Sequence, residues 1–156
     1  MVARENLVHF LQENGVHFET IRHAPAYTAQ EVAAAEHVSG KFLAKVVMVL
    51  ADGRLVMTVL PATHRLDLDK LKEALKASEA RLAREDEFND VFFDCAVGAM
   101  PPFGCLYGIP TYADRSLAED PEIHFLAGTH DESMRISYAD YARLAQPIVG
   151  DFAVHT

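Results

Sequence analysis

The stretch Ala44-Lys45-Val46-Val47-Met48-Val49-Leu50-Ala51-Asp52-Gly53-Arg54-Leu55-Val56-Met57-Thr58-Val59-Leu60 sets two β-branched apolar runs around an Asp-Gly pair. Asp-Gly suits a two-residue turn in which both central residues take positive φ, so the segment predicts a β-hairpin. Both runs are apolar at successive rather than alternate positions, which suits central strands covered on each face. Helices are therefore expected over the sheet that this hairpin begins.

Outward from the hairpin, Leu7, Phe10 and Leu11 stand at helical spacing between Arg4 and Asn14, and Gly15 supplies a stop. An extended piece from Val16 to Ile21 and a loop through His23 and Pro25 precede Thr28-Ala29-Gln30-Glu31, a capping box opening an alanine-rich second helix that ends before Gly40. Beyond the hairpin, Leu68, Leu71 and Leu75 predict an amphipathic helix opened by Asp67. Arg81-Leu82-Ala83 reads as extended and Glu85 to Phe88 as a short helical stretch. Val97 to Pro110 has Gly or Pro at six of 14 positions, which predicts a shaped loop with no regular element. Extended pieces return at Thr111–Ala113, Ile123–Ala127 and Met134–Ser137, and Ser137 opens a last helix ending before Pro147. The expectation is α/β (α+β): residues 1–156 as one domain, a mixed, largely antiparallel central sheet surrounded by helices.

Half of the 156 residues are hydrophobic, enough to bury a core without disulfides or metals. No apolar run reaches the ~18 residues of a membrane span and the N-terminus has no signal-peptide core, so no membrane is expected and the cytoplasm is the default compartment. Cys95 and Cys105 do not make a metal-ligand spacing and read as structural or incidental thiols. The net charge of −9 opposes non-specific binding to nucleic acid. Its distribution is uneven: residues 41–84 hold nine of the 14 basic side chains against five acids, a local +4 that leaves −13 on the remainder. A solvated helix face explains Lys70, Lys72 and Lys76 as well as a small basic patch meeting the end of an RNA does.

Three places carry candidate chemistry. Lys45 interrupts an apolar run, either as a strand-end lysine reaching water along its stem or as a cation held at a cleft to grip a phosphate, ribose or carbonyl oxygen. Gly98-Ala99-Met100-Pro101-Pro102-Phe103-Gly104 is either a plain turn or a stiff loop presenting backbone N–H groups to a developing oxyanion. Ala127-Gly128-Thr129-His130-Asp131 puts a histidine in a polar turn after a strand, either as an ordinary surface residue or as a group that exchanges a proton near neutral pH. The eight histidines show no zinc spacing, and there is no nucleophile elbow, phosphate-binding loop or dinucleotide fingerprint, so no metal and no cofactor is expected.

In their order and spacing these three places resemble the YbaK-like family of aminoacyl-tRNA deacylases, which includes the editing domain of bacterial prolyl-tRNA synthetases and freestanding relatives. The resemblance spans nearly the whole chain, from the first helix and the His23 to Glu31 stretch to Gly128-Thr129-His130. It implies hydrolysis of the ester between a wrong amino acid and the terminal adenosine of a tRNA, with no covalent enzyme intermediate and with help from the substrate's own ribose hydroxyl. Lys45, Gly98 and His130 would then be catalytic; Val46, Met100, Pro101, Phe103, Gly104, Gly128 and Thr129 would bind substrate. Val46 departs from relatives that carry a polar residue after the lysine. The implied substrate is a small amino acid, alanine first and cysteine second, on proline tRNA held by its acceptor end, with an aminoacyl-tRNA synthetase as a candidate partner. The rival readings are a non-catalytic nucleotide or aminoacyl-tRNA binding module that partners a synthetase, a protein-docking module in which Lys45 merely reaches water, and a metal-dependent hydrolase.

Overall fold

The computed structural model describes residues 2–23, 43–96 and 98–155. Helix α1 (Val2–Glu13) fully buries Leu7 and Leu11, one turn apart. It stops as expected at Gly15, whose φ of +68° lets the Val16 N–H reach back to the Leu11 carbonyl at 3.0 Å. Strand β1 (Glu19–Arg22) follows. The expected second helix, with its capping box and Gly40, lies outside the described residues.

The hairpin forms as β2 (Ala44–Ala51) and β3 (Arg54–Pro61), paired from Ala44 opposite Pro61 to Ala51 opposite Arg54. Asp52 and Gly53 make the turn at φ 49° and 80°. The Asp52 carboxylate accepts from the N–H groups of Ser78 and Glu79 at 3.0 and 2.9 Å, fastening the turn to the start of β5 (Ala80–Leu82). The central sheet is ordered β5-β2-β3-β6-β9, with β6 (Thr111–Asp114) and β9 (Ile148–Gly150) running parallel to β3. β2 is antiparallel to both of its neighbours. A second, antiparallel sheet holds β1, β8 (Glu132–Ser137) and β7 (Glu122–Leu126). A bridge from Leu43 to His124 lays the start of β2 alongside β7, both strands running the same way.

The continuous apolarity of the hairpin has the anticipated cause, since both faces are covered. Ala44, Met48, Met57 and Val59 join the larger core with Leu7, Leu11, Phe103 and Tyr141. Val49 and Val56 face the other way, onto Leu71 and Phe152. Leu71 comes from helix α2 (Leu68–Leu75), whose N-cap Asp67 accepts from the N–H groups of Asp69 and Lys70 at 3.0 and 3.1 Å. Helix α3 (Glu85–Phe88) is a single turn, and α4 (Tyr138–Ala145) is capped by Ser137 and buries Tyr141. Among the described residues, no helix is long and apolar enough to cross a membrane.

Three short strands escape a reading by pattern: β4 (His64–Leu66), β9 and β10 (Ala153–His155) have three residues each, too few for any period to show. β4 pairs antiparallel with β10, far from it in sequence, and the clamp beside this ribbon is Asp114. Its buried carboxylate accepts from the N–H groups of Phe152 and Ala153, each at 2.9 Å, and from the N–H and hydroxyl of Ser116. Burial works to raise the pKa of Asp114, but the Ser116 hydroxyl and the three N–H groups outweigh it and hold the carboxyl below its ordinary value.

A depressed carboxylate contributes stability that is present above its unfolded pKa and lost as pH falls through its folded one. The contribution of Asp114 is therefore complete above about pH 4 and fades below it. We expect Asp114→Ala to cost ~2 kcal/mol at neutral pH, roughly 4–8 °C in Tm. Thermal melts from pH 7 down to pH 2 check this, because the gap between wild type and variant should close as the medium becomes acid.

Candidate active site

Backbone bonds join two of the three places singled out in the sequence. The Ala96 N–H donates to the Gly128 carbonyl at 2.8 Å, and the Gly128 N–H donates to the Ala99 carbonyl at 2.9 Å. A further bond, Ala99 N–H to the Ala96 carbonyl at 3.0 Å, closes a tight turn. Gly98 at its exposed tip has φ +81°, and Gly128 opposite has φ +101°, conformations that glycine adopts without strain. A Cβ on Gly98 would lie 3.6 Å from Cε1 of His130, so the glycine and the imidazole face one another. The Gly98 N–H has no acceptor among the described residues, which leaves it available to an oxygen bearing negative charge.

The histidine turn is itself tied down. Asp131 accepts from the Thr129 hydroxyl at 2.7 Å, which holds its carboxyl below the ordinary value, and its carbonyl accepts from the His23 N–H at 2.9 Å. One residue on, Glu132 is buried and pairs with the exposed Arg22 at 2.5 Å. His23, Arg22 and Asp131 thus join His130 at one end of the β1-β8-β7 sheet. Their sequence signal is only their nearness to the quoted motifs, and the pairing across β1 and β8 is not a local property.

Lys45 reaches this end of the sheet by register. The Leu43–His124 bridge sets Lys45 level with Leu126, just before β7 enters Gly128-Thr129-His130. Strand alternation turns Ala44, Val46 and Met48 toward the larger core and Lys45 to the opposite face. Burial lowers the pKa of the half-buried ammonium, and no described residue forms an ion pair or hydrogen bond with it. Val46 therefore packs against the larger core rather than beside the lysine head.

The rest of the proline loop turns inward. Met100, Pro101, Pro102, Phe103 and Gly104 are all buried. The Phe103 ring is edge-on to Phe10, Phe125 and Tyr141 at 6.0, 5.6 and 5.3 Å, so it anchors the loop in the core. A Cβ on Gly104 would stand 2.3 Å from Oγ1 of Thr111 and 2.4 Å from the Ile109 carbonyl oxygen, so no side chain fits. Gly104 also starts a single 3₁₀ turn (Gly104–Leu106), a regular element inside a stretch expected to hold none. Its carbonyl accepts from the N–H groups of both Tyr107 and Ile109, which makes that turn possible despite the flanking prolines.

A second clasp closes the loop at its base. The Tyr107 hydroxyl donates to Oδ1 of Asp94 at 3.1 Å and meets Sγ of Cys95 at 3.3 Å, while the Tyr107 ring lies 4.5 Å from Phe92. Burial pushes the Cys95 thiol up to about 11 and raises the Tyr107 phenol further still, so both stay protonated at neutral pH. We expect Tyr107→Phe, which keeps the ring packing and removes only the hydroxyl, to lower kcat by ~10-fold with KM and Tm nearly unchanged. Steady-state kinetics beside a thermal melt check this. Among the described residues, no three His, Cys, Asp or Glu side chains gather closely enough to hold a metal ion.

A mixed central sheet beside a smaller antiparallel sheet, whose histidine turn meets a glycine-proline loop, defines an α+β protein of the trans-editing fold. Its fold matches that of a candidate trans-editing enzyme for prolyl tRNA synthetase, with TM-score 0.85 and 22% identity over 97% of each chain. It also matches the crystal structure of the hypothetical protein APE2540, with TM-score 0.85 and 23% identity over 95% of this chain and 99% of that one. The chain belongs to the aminoacyl-tRNA editing domain family, whose model matches residues 23–144, and it is an aminoacyl-tRNA deacylase by class. A curated relative, the multifunctional Ser/Thr-tRNA deacylase ProXp-y of Escherichia coli (strain K12), is 29% identical over 97% of this chain and 93% of its own.

Proposed function

We propose that residues 1–156 act as one domain that hydrolyses the ester of a small, wrongly attached amino acid on the acceptor end of a tRNA. The observation that carries this reading is the pairing of the Gly98 turn with Gly128–His130, which sets an imidazole beside an N–H that has no acceptor among the described residues. The Gly98 N–H stabilises the oxyanion formed when water adds to the ester carbonyl. The Lys45 ammonium grips the phosphate or ribose of the terminal nucleotide, and His130 shapes the aminoacyl pocket and orients the water. Activation of that water rests on the substrate's own ribose hydroxyl, so catalysis is chiefly positioning and electrostatics.

For the substrate, the family likeness supports alanine or cysteine on proline tRNA, and the name of the Escherichia coli relative supports adding serine and threonine. An apolar wall separates such residues by only ~1–3 kcal/mol per methylene, so exclusion of larger amino acids is the firmer expectation. We place this work in the cytoplasm, beside a synthetase that releases mischarged tRNA; the likeness to a candidate trans-editing enzyme for prolyl tRNA synthetase favours the prolyl enzyme. The test is deacylation of a panel of tRNAs, including proline tRNA charged with alanine, cysteine, serine or proline and tRNAs charged with serine or threonine. Hydrolysis of a mischarged species, with proline tRNA carrying proline spared and chelator without effect, supports the proposal. Binding of the panel with no turnover would favour the non-catalytic binding module instead.

A further inference from the structure

The turn after α3 carries a ring that the deacylase reading leaves unused. Phe93 is 79% exposed, although a phenylalanine in water forgoes the burial its ring could gain. It lines a pocket of about 240 Å³ together with Phe88 and Phe92. The Phe92 ring is held by the edge of Phe88 at 6.4 Å and by Tyr107 at 4.5 Å. Ala96 and Met100 also line it, and these two residues bracket Gly98. The pocket therefore shares its wall with the candidate active site, since Ala96 is also the residue that bonds to Gly128.

Two polar side chains line the same pocket. Asn89 and Asp90 are exposed, and neither side chain forms a hydrogen bond or ion pair among the described residues. A carboxylate and an amide carbonyl both accept hydrogen bonds from an amine, and the carboxylate repels a phosphate. Every tRNA ends in cytosine and adenine, and both bases carry an exocyclic amine on the edge that would meet such acceptors. Their faces stack on aromatic side chains whatever the sequence. Grip through a base rather than through phosphates also suits a chain with a net charge of −9.

We infer, resting on the deacylase reading, that this pocket holds one nucleobase of the single-stranded tRNA end, stacked on Phe93 with its amine toward Asn89 and Asp90. A base so held would bring the ester toward the Gly98 turn.

The test uses uncharged acceptor-stem minihelices, intact or lacking the base of the last or the penultimate nucleotide. Each is titrated with wild type, Phe93→Ala and Phe93→Trp. Phe93→Ala should weaken binding of the intact minihelix by ~10-fold, and Phe93→Trp should restore it. Removing one of the two bases should weaken wild-type binding to a similar degree and abolish the effect of Phe93→Ala, which identifies the base that is held. No measurable wild-type binding, equal affinity of wild type and Phe93→Ala, or a Phe93 effect that persists both without the last base and without the penultimate one would overturn the inference. With charged minihelices, Phe93→Ala should raise KM and leave kcat within about twofold. A protein that binds through Phe93 and hydrolyses nothing would keep the pocket and sink the deacylase proposal.

Discussion

Replacing Lys45 with alanine is expected to lower the rate of deacylation by ~10²-fold or more, the usual cost of losing one donor to a transition state. The lysine stands where β2 runs beside the end of β7, on the face turned from the larger core. No described residue neutralises it, so its charge is free for a substrate oxygen. Truncation should not unfold the protein, because removing a half-buried cation that has no ion pair among the described residues relieves a desolvation cost. A Tm equal to or above that of wild type, with turnover largely lost, is the expected pair of readings. The pH profile adds a check with a defined sign. Burial lowers the Lys45 pKa, and the ammonium is the working form, so the rate should fall with rising pH below the range of an ordinary lysine. Lys45→Arg should move that fall to higher pH. Unchanged turnover in Lys45→Ala would leave the lysine as a strand-end residue reaching water.

Gly98→Val is expected to lower kcat by ~10²-fold with a much smaller loss of stability. Valine is poorly tolerated at φ +81°, and its methyl groups extend past a Cβ already 3.6 Å from the His130 ring. Either the turn shifts or the imidazole does, and a displacement of about 1 Å in a positioned site costs on the order of 10²-fold. The position is exposed, so little packing is at risk. Gly108→Val is the matched control: its φ of +70° brings similar backbone strain, but nothing lies within 4 Å of a Cβ at that position. That variant should lose a similar small amount of stability and keep wild-type turnover. Equal losses of activity in the two variants would mean that backbone strain, not contact with His130, is responsible.

Much of the local structure was legible in the residues. Asp52-Gly53 marks the hairpin turn because few other pairs tolerate two successive positive φ values. Asp67 and Ser137 mark helix starts because their side chains accept the N–H groups that the first turn leaves free. Glu85 to Phe88 is helical as read, and continuous apolarity in β2 and β3 marks strands covered on both faces. The candidate site was legible only as separate pieces. Phe103 and Gly104 are indistinguishable by type from residues that line a pocket, yet the structure turns them into the core beneath the loop.

The amino acids alone determined the turns, the caps, the glycine-proline loop and the family to which the chain belongs, because each of these signals acts within a few residues or is carried by composition. The tertiary structure decided the rest: the meeting of Gly98 with His130, the face from which Lys45 projects, the clasp of Tyr107 on Asp94, and the pairing of β4 with β10. These are contacts between distant segments, selected by which backbone groups and side chains can be buried with their hydrogen bonds satisfied. That is a property of the packed chain as a whole, and no local period or motif encodes it.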